Sequence, residues 1–169
     1  MKKKYEEKLA FARKLIPENF PTCKEEEEKI SKSFGIIDPI VKTGDIDVLP
    51  GLFDFFIEEK AHTYDFCEAL DDMISAYFSE DQVLQVFYQK FDALAEKNPE
   101  RCAGIVSRYF FYQESDYEKF REMFNTVRSK HFVKSLEELK RRLKSNVGWI
   151  DKEKDRMMVY ALEEDMKKW

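Results

Sequence analysis

The chain has 169 residues, a length that suits one domain, and 43% of them are apolar, with fifteen Phe and eight Tyr; this supplies an aromatic core and excludes wholesale disorder. Five Gly and five Pro are too few for the many tight turns of a sandwich or barrel, so the expected class is all-α: a compact array of about seven to eight helices, as hairpins stacked in a small solenoid-like or irregular bundle. The formal charge of −5 is uneven, because residues 45 to 100 hold fourteen Asp and Glu against Lys60, Lys90 and Lys97, a local −11 that leaves the remainder at +6.

The start, Met1-Lys2-Lys3-Lys4, is basic like a secretory n-region, but Glu6, Glu7 and Lys8 interrupt it before an apolar stretch can form. No run approaches the ~20 apolar residues of a membrane helix. A cytoplasmic protein without membrane association is expected. Cys23, Cys67 and Cys102 are widely spaced and lack a Cys-x-x-Cys pair, which argues against a disulfide framework or a zinc knot and for reduced, buried thiols.

Tyr5, Leu9, Ala12 and Ile16 follow the helical period until Pro17 and Pro21 stop it. Cys23 to Phe34 reads as a second helix, with Glu25 to Glu28 near its positive end. Gly35 to Pro50 mixes turn dipeptides such as Asp38-Pro39 and Thr43-Gly44 with short apolar pieces, and reads as a connector. A helix over Thr63 to Phe78 follows. Capping boxes announce three more starts, at Ser79 to Gln82, Ser115 to Glu118 and Ser135 to Glu138, and Asn98-Pro99 marks another. A last helix spans Ile150 to about Lys168. Residues 1–169 form a single helical domain on this reading, with helices and a connector over 1–45 and the main body over 46–169.

The helix at Thr63 to Phe78 is the most legible binding element. At 100° per residue Phe66, Leu70, Met73, Ile74 and Tyr77 share one side, while Asp65, Glu68, Asp71 and Asp72 fall within about a third of a turn on the other. Glu58 and Glu59 precede it, and Glu80 and Asp81 follow. An acidic face ordinarily serves solubility, but Lys and Arg that would form i,i+4 pairs are scarce here. The eight acids therefore read as a partner-binding surface for a basic protein. Like charge excludes nucleic acid as the partner of that face. The cations of the C-terminal half, from Arg101 to Lys144, are interleaved with Glu118, Glu122, Glu137 and Glu138, which argues against a nucleic-acid surface there too.

Catalysis finds little support, and no enzyme, cofactor or metal site is expected. His62 and His131 are the only histidines, and Glu59-Lys60-Ala61-His62 supplies one Glu-x-x-His where a di-iron bundle needs two. Nucleophile elbows, phosphate-cradling loops and His-Glu-x-x-His zinc helices are absent from the sequence.

One ordering of features goes further. Leu52-Phe53-Asp54-Phe55-Phe56 is followed by the acidic helix, a long helix from Ser79, and Pro99 with Arg108-Tyr109-Phe110 nine residues on. Over roughly residues 48 to 143 this order resembles small all-helical immunity proteins of bacterial polymorphic toxin systems. The resemblance implies a cytosolic antidote that binds the toxic domain of a secreted or contact-delivered effector and blocks it stoichiometrically. A helical adaptor that recognises a host protein through a helix-lined groove is the alternative.

Overall fold

The computed structural model describes residues 3–19, 21–59, 63–110, 114–145 and 152–169, which are all-α: nine α-helices, a short 3-10 helix and no strand among the described residues. They divide into two compact units, Met1–Lys90 and Phe91–Trp169.

In the first unit α1 (Lys3–Leu15) ends just ahead of Pro17, as its periodicity predicts, and buries Leu9 and Ala12. α2 (Lys24–Val41) departs from expectation. It runs seven residues beyond Phe34, straight through Gly35 and Pro39, where a connector was predicted. Proline removes one helical amide and crowds the carbonyl four residues earlier. Here that residue is Gly35, which is exposed and has open space where a Cβ would stand. Burial of Ile37, Ile40 and Val41 in the last turn outweighs the lost hydrogen bond, because packing of an apolar face is the larger part of helix stability in proteins. The chain leaves α2 through Gly44, whose φ of +62° costs nothing without a Cβ. Asp45 then accepts a hydrogen bond from the Asp47 amide to cap the 3-10 helix Ile46–Val48.

α3 (Leu49–Ile57) places Pro50 in its first turn and buries Leu52, Phe53, Phe55 and Phe56. α1 packs on α2 and α3, and α2 on α4 (Tyr64–Tyr77), so α1 and α2 belong to the body of this unit. α5 (Glu80–Lys97) starts at the predicted box: the Ser79 amide donates to Gln82 Oε1 at 2.9 Å, and the Gln82 amide returns a bond to Ser79 Oγ at 3.4 Å.

The boundary between units falls within α5, so Phe91 onward belongs to the second. There α6 (Pro99–Phe110) is capped by Asn98, whose Oδ1 accepts from the Arg101 amide at 3.0 Å. α7 (Glu114–Val127) starts one residue ahead of the predicted cap Ser115. α8 (Phe132–Ser145) starts three residues ahead of Ser135, which is an interior, fully buried helical residue and no cap. Phe132 explains the shift: it is completely buried against Phe91 and Phe124, with ring centroids 5.3 and 5.0 Å away, and draws the first turn of α8 into the core. α9 (Lys152–Met166) packs on α7 and α8, and α6 on α7 and α8.

Arg128, just past α7, has φ +48°, and its amide reaches the Phe124 carbonyl at 2.8 Å. This left-handed exit suits glycine. Arg128→Gly is expected to stabilise the chain by about 1 kcal/mol and raise Tm by roughly 2–4 °C in thermal denaturation, since the strain relieved exceeds one exposed arginine hydrogen bond.

All three cysteines are free; Cys67 and Cys102 are buried as expected, but Cys23 is exposed at the cap of α2. Burial pushes the Cys102 thiol up to about 12, and thiolate is the reactive form. A chromogenic disulfide reagent is expected to label only Cys23 in the native chain, and all three after unfolding. Immediate labelling of two or more would contradict this burial.

Candidate functional site

α4 turns its acids away from the core. Phe66, Leu70 and Ile74 are buried on one side, while Asp65, Glu68 and Asp72 lie within about a sixth of a turn on the other. Asp65 and Asp72 are exposed; Glu68 and Asp71 are half-buried, Asp71 at the edge of the stripe. Asp65 stands in the first turn, where the helix dipole welcomes an anion, but Glu68, Asp71 and Asp72 lie beyond that turn and gain little from it. Glu80 and Asp81, both exposed, have the same local reason for their place in the first turn of α5.

Among the described residues, Asp65, Asp72, Glu80 and Asp81 make no ion pair. At Glu58 the expected lack of cations does not hold. Arg13 of α1 sits with Nη1 2.7 Å from Asp54 Oδ2 and 3.9 Å from Glu58 Oε1, and Lys90 Nζ lies 2.7 Å from Asp54 Oδ1. The packing of α1 on α3 brings Arg13 there from a distant part of the sequence. Glu58 is exposed and Glu59 half-buried at the end of α3, so the candidate surface is centred on α4 rather than spread evenly over the eight acids.

A feature the sequence did not signal adjoins Asp65. A cavity of about 290 Å³ opens there, lined by Ile16, Ile30, Phe34, Thr63 and Phe66 as well as Asp65 itself. Its residues come from the end of α1, the middle of α2 and the start of α4, and no one of these segments shows it alone.

In the second unit part of the charge is consumed in ion pairs. Glu138 holds Arg141 and Arg142 with Nε atoms 2.6 and 2.9 Å away, and these guanidinium groups keep its carboxyl below the usual range. Lys140 bridges Glu137 and Glu163. A groove of about 760 Å³ between α8 and α9 carries Lys140, Lys144 and Arg156 but also Glu153 and Glu163, and so presents mixed charge.

His131 Nδ1 lies 3.3 Å from Asp92 Oδ1, and Ser129 Oγ donates to the same oxygen at 2.6 Å. Because the serine bonds the carboxylate and not the imidazole, the trio closes the turn before α8 and does not activate a nucleophile. No group of three His, Cys, Asp or Glu among the described residues stands ready to hold a metal ion. Lys60 and His62, the other half of the Glu-x-x-His match, lie outside the described residues. No described helix is long and apolar enough to cross a membrane. No protein-family model, curated protein or solved structure matches the chain.

Proposed function

We infer that the chain is a non-catalytic binding protein that docks a basic protein domain on the acidic face of α4, in the manner of an immunity protein that neutralises a toxin by stoichiometric binding. The observation that carries this reading is the pairing pattern: among the described residues Asp65 and Asp72 stand exposed without an ion pair, although ion pairs engage cations elsewhere, as at Asp54 and Glu138. Unpaired anions of one sign on one rigid face attract a cationic surface over about a Debye length, ~8 Å at physiological salt, and speed encounter. Apolar contact at the centre of such an interface then slows dissociation. The three free thiols fit a reducing compartment, and the role is assigned to the cytoplasm.

The test is co-expression with the C-terminal domain of the product of the neighbouring gene, as the candidate toxin. An antidote restores survival and co-purifies as a stable complex. Survival should fall again when Asp65, Glu68, Asp71 and Asp72 are replaced together by Asn or Gln. Absence of toxicity, or toxicity that the chain does not relieve, would move the assignment to a helical adaptor with a host partner.

A further inference from the structure

The cavity beside Asp65 has the composition of an anchor pocket. Phe34 of α2 meets Phe66 of α4 edge-on, centroids 4.5 Å apart, and Ile16 and Ile30 complete an apolar wall. Thr63 lies 4% exposed among the lining residues, and Asp65, exposed, is the one charged residue among the described lining. An apolar cavity of about 150 Å³ already accepts a benzene-sized guest, so about 290 Å³ has room for a phenyl, leucyl or methionyl side chain. Among the described residues, neither Lys nor Arg lines it, and Asp65 makes no ion pair. The carboxylates of Glu68 and Asp72 continue from Asp65 along the same face of α4.

We propose that this cavity takes a single large apolar side chain of the protein partner, presented directly beside Lys or Arg, with the side chain packed against the wall that Ile16, Ile30 and the Phe34–Phe66 pair form and the following cations on Asp65 and Asp72. The proposal deepens the acidic-face reading and rests on it. It names the recognition element: an apolar anchor flanked by positive charge. Such an element divides the work of binding, because the cations guide approach while the desolvated anchor holds the complex.

Three acetylated and amidated pentapeptides test this by titration into the isotope-labelled full chain, followed through backbone amide shifts: Gly-Phe-Lys-Lys-Gly, Gly-Ala-Lys-Lys-Gly and Gly-Phe-Glu-Glu-Gly. The first should bind saturably, with shifts centred on Ile16, Ile30, Phe34 and Phe66, and at least about tenfold more tightly than either control. Asp65→Asn should weaken it several-fold. Ile30→Trp, at a half-exposed position that tolerates a larger side chain, should fill the pocket and abolish the shifts while the rest of the spectrum stays folded. Equal binding of the alanine peptide would overturn the pocket and leave the acidic face standing. Equal binding of the glutamate peptide would overturn the charge requirement. If none of the three binds, or the shifts lie elsewhere, the anchor site is refuted, while the co-expression experiment still judges the antidote role separately.

Discussion

Phe120→Ala is expected to cost about 4 kcal/mol, a large share of the roughly 5–15 kcal/mol that holds a domain together. Phe120 is completely buried in the second unit, with ring centroids 5.9 Å from Phe91, 4.8 Å from Phe110, 5.8 Å from Phe124 and 5.8 Å from Phe132. It therefore joins α5, α6, α7 and α8 at one point. Removing the ring forfeits its transfer free energy and leaves a void that four surrounding aromatics on separate helices cannot close together. Phe120→Leu keeps most of the volume and should cost only about 1 kcal/mol. Urea denaturation followed by circular dichroism reads both. The midpoint should drop steeply for alanine and slightly for leucine, with the slope preserved. A small, equal shift for the two would mean that Phe120 is not the hub of this core.

The second large effect concerns the end of α9. Asp165 is 4% exposed and accepts from Arg121 Nε at 2.7 Å, Arg121 Nη2 at 3.3 Å and Lys168 Nζ at 2.8 Å. Hydrogen bonds from the Arg121 guanidinium, with a further contribution from Lys168, hold the carboxyl far below the usual carboxylate range. Asp165→Ala leaves Arg121 without its counter-ion. Because the Arg121 side chain keeps 37% of its exposure, it can recover part of its hydration, and the expected cost is about 2–3 kcal/mol, below that of breaking a wholly buried pair. A carboxyl whose folded pKa is depressed adds stability that is fully present above its unfolded value, near 3.9, and is lost as pH falls toward the folded value. The stability gap between the native chain and Asp165→Asn should thus be constant through neutral pH and shrink below about pH 4. A gap that stays the same down to acid would show that the carboxylate charge does not contribute.

The starts at Ser79 and Asn98 were legible in the sequence because each is decided by hydrogen bonds among residues three apart. The core side of α4 was legible for a similar reason: Phe66, Leu70 and Ile74 repeat at the helical period, and burial follows the period. Pro39 and Ser135 were misread where tertiary packing overrode a local signal. Ile37, Ile40 and Val41 carry α2 through the proline, and Phe132 pulls the start of α8 ahead of Ser135. The position of Arg13 beside Asp54, and the cavity formed by Ile16, Ile30, Phe34 and Phe66, depend on which helices come together. No local pattern encodes that choice. The acidic stripe of α4 could be read from spacing, but whether a neighbouring helix would neutralise it could not, and the answer differs between Glu58 and Asp65.

The most direct measurement is the association rate between this chain and the partner domain that the co-expression experiment identifies, by stopped flow across a range of salt concentrations. The native chain is compared with one carrying Asp65→Asn, Glu68→Gln, Asp71→Asn and Asp72→Asn. Electrostatic docking on α4 requires fast association at low salt that falls as ionic strength rises, and a rate for the variant roughly tenfold or more slower at low salt but convergent at high salt. Identical rates at every salt concentration, or no complex at all, would contradict docking on the acidic face.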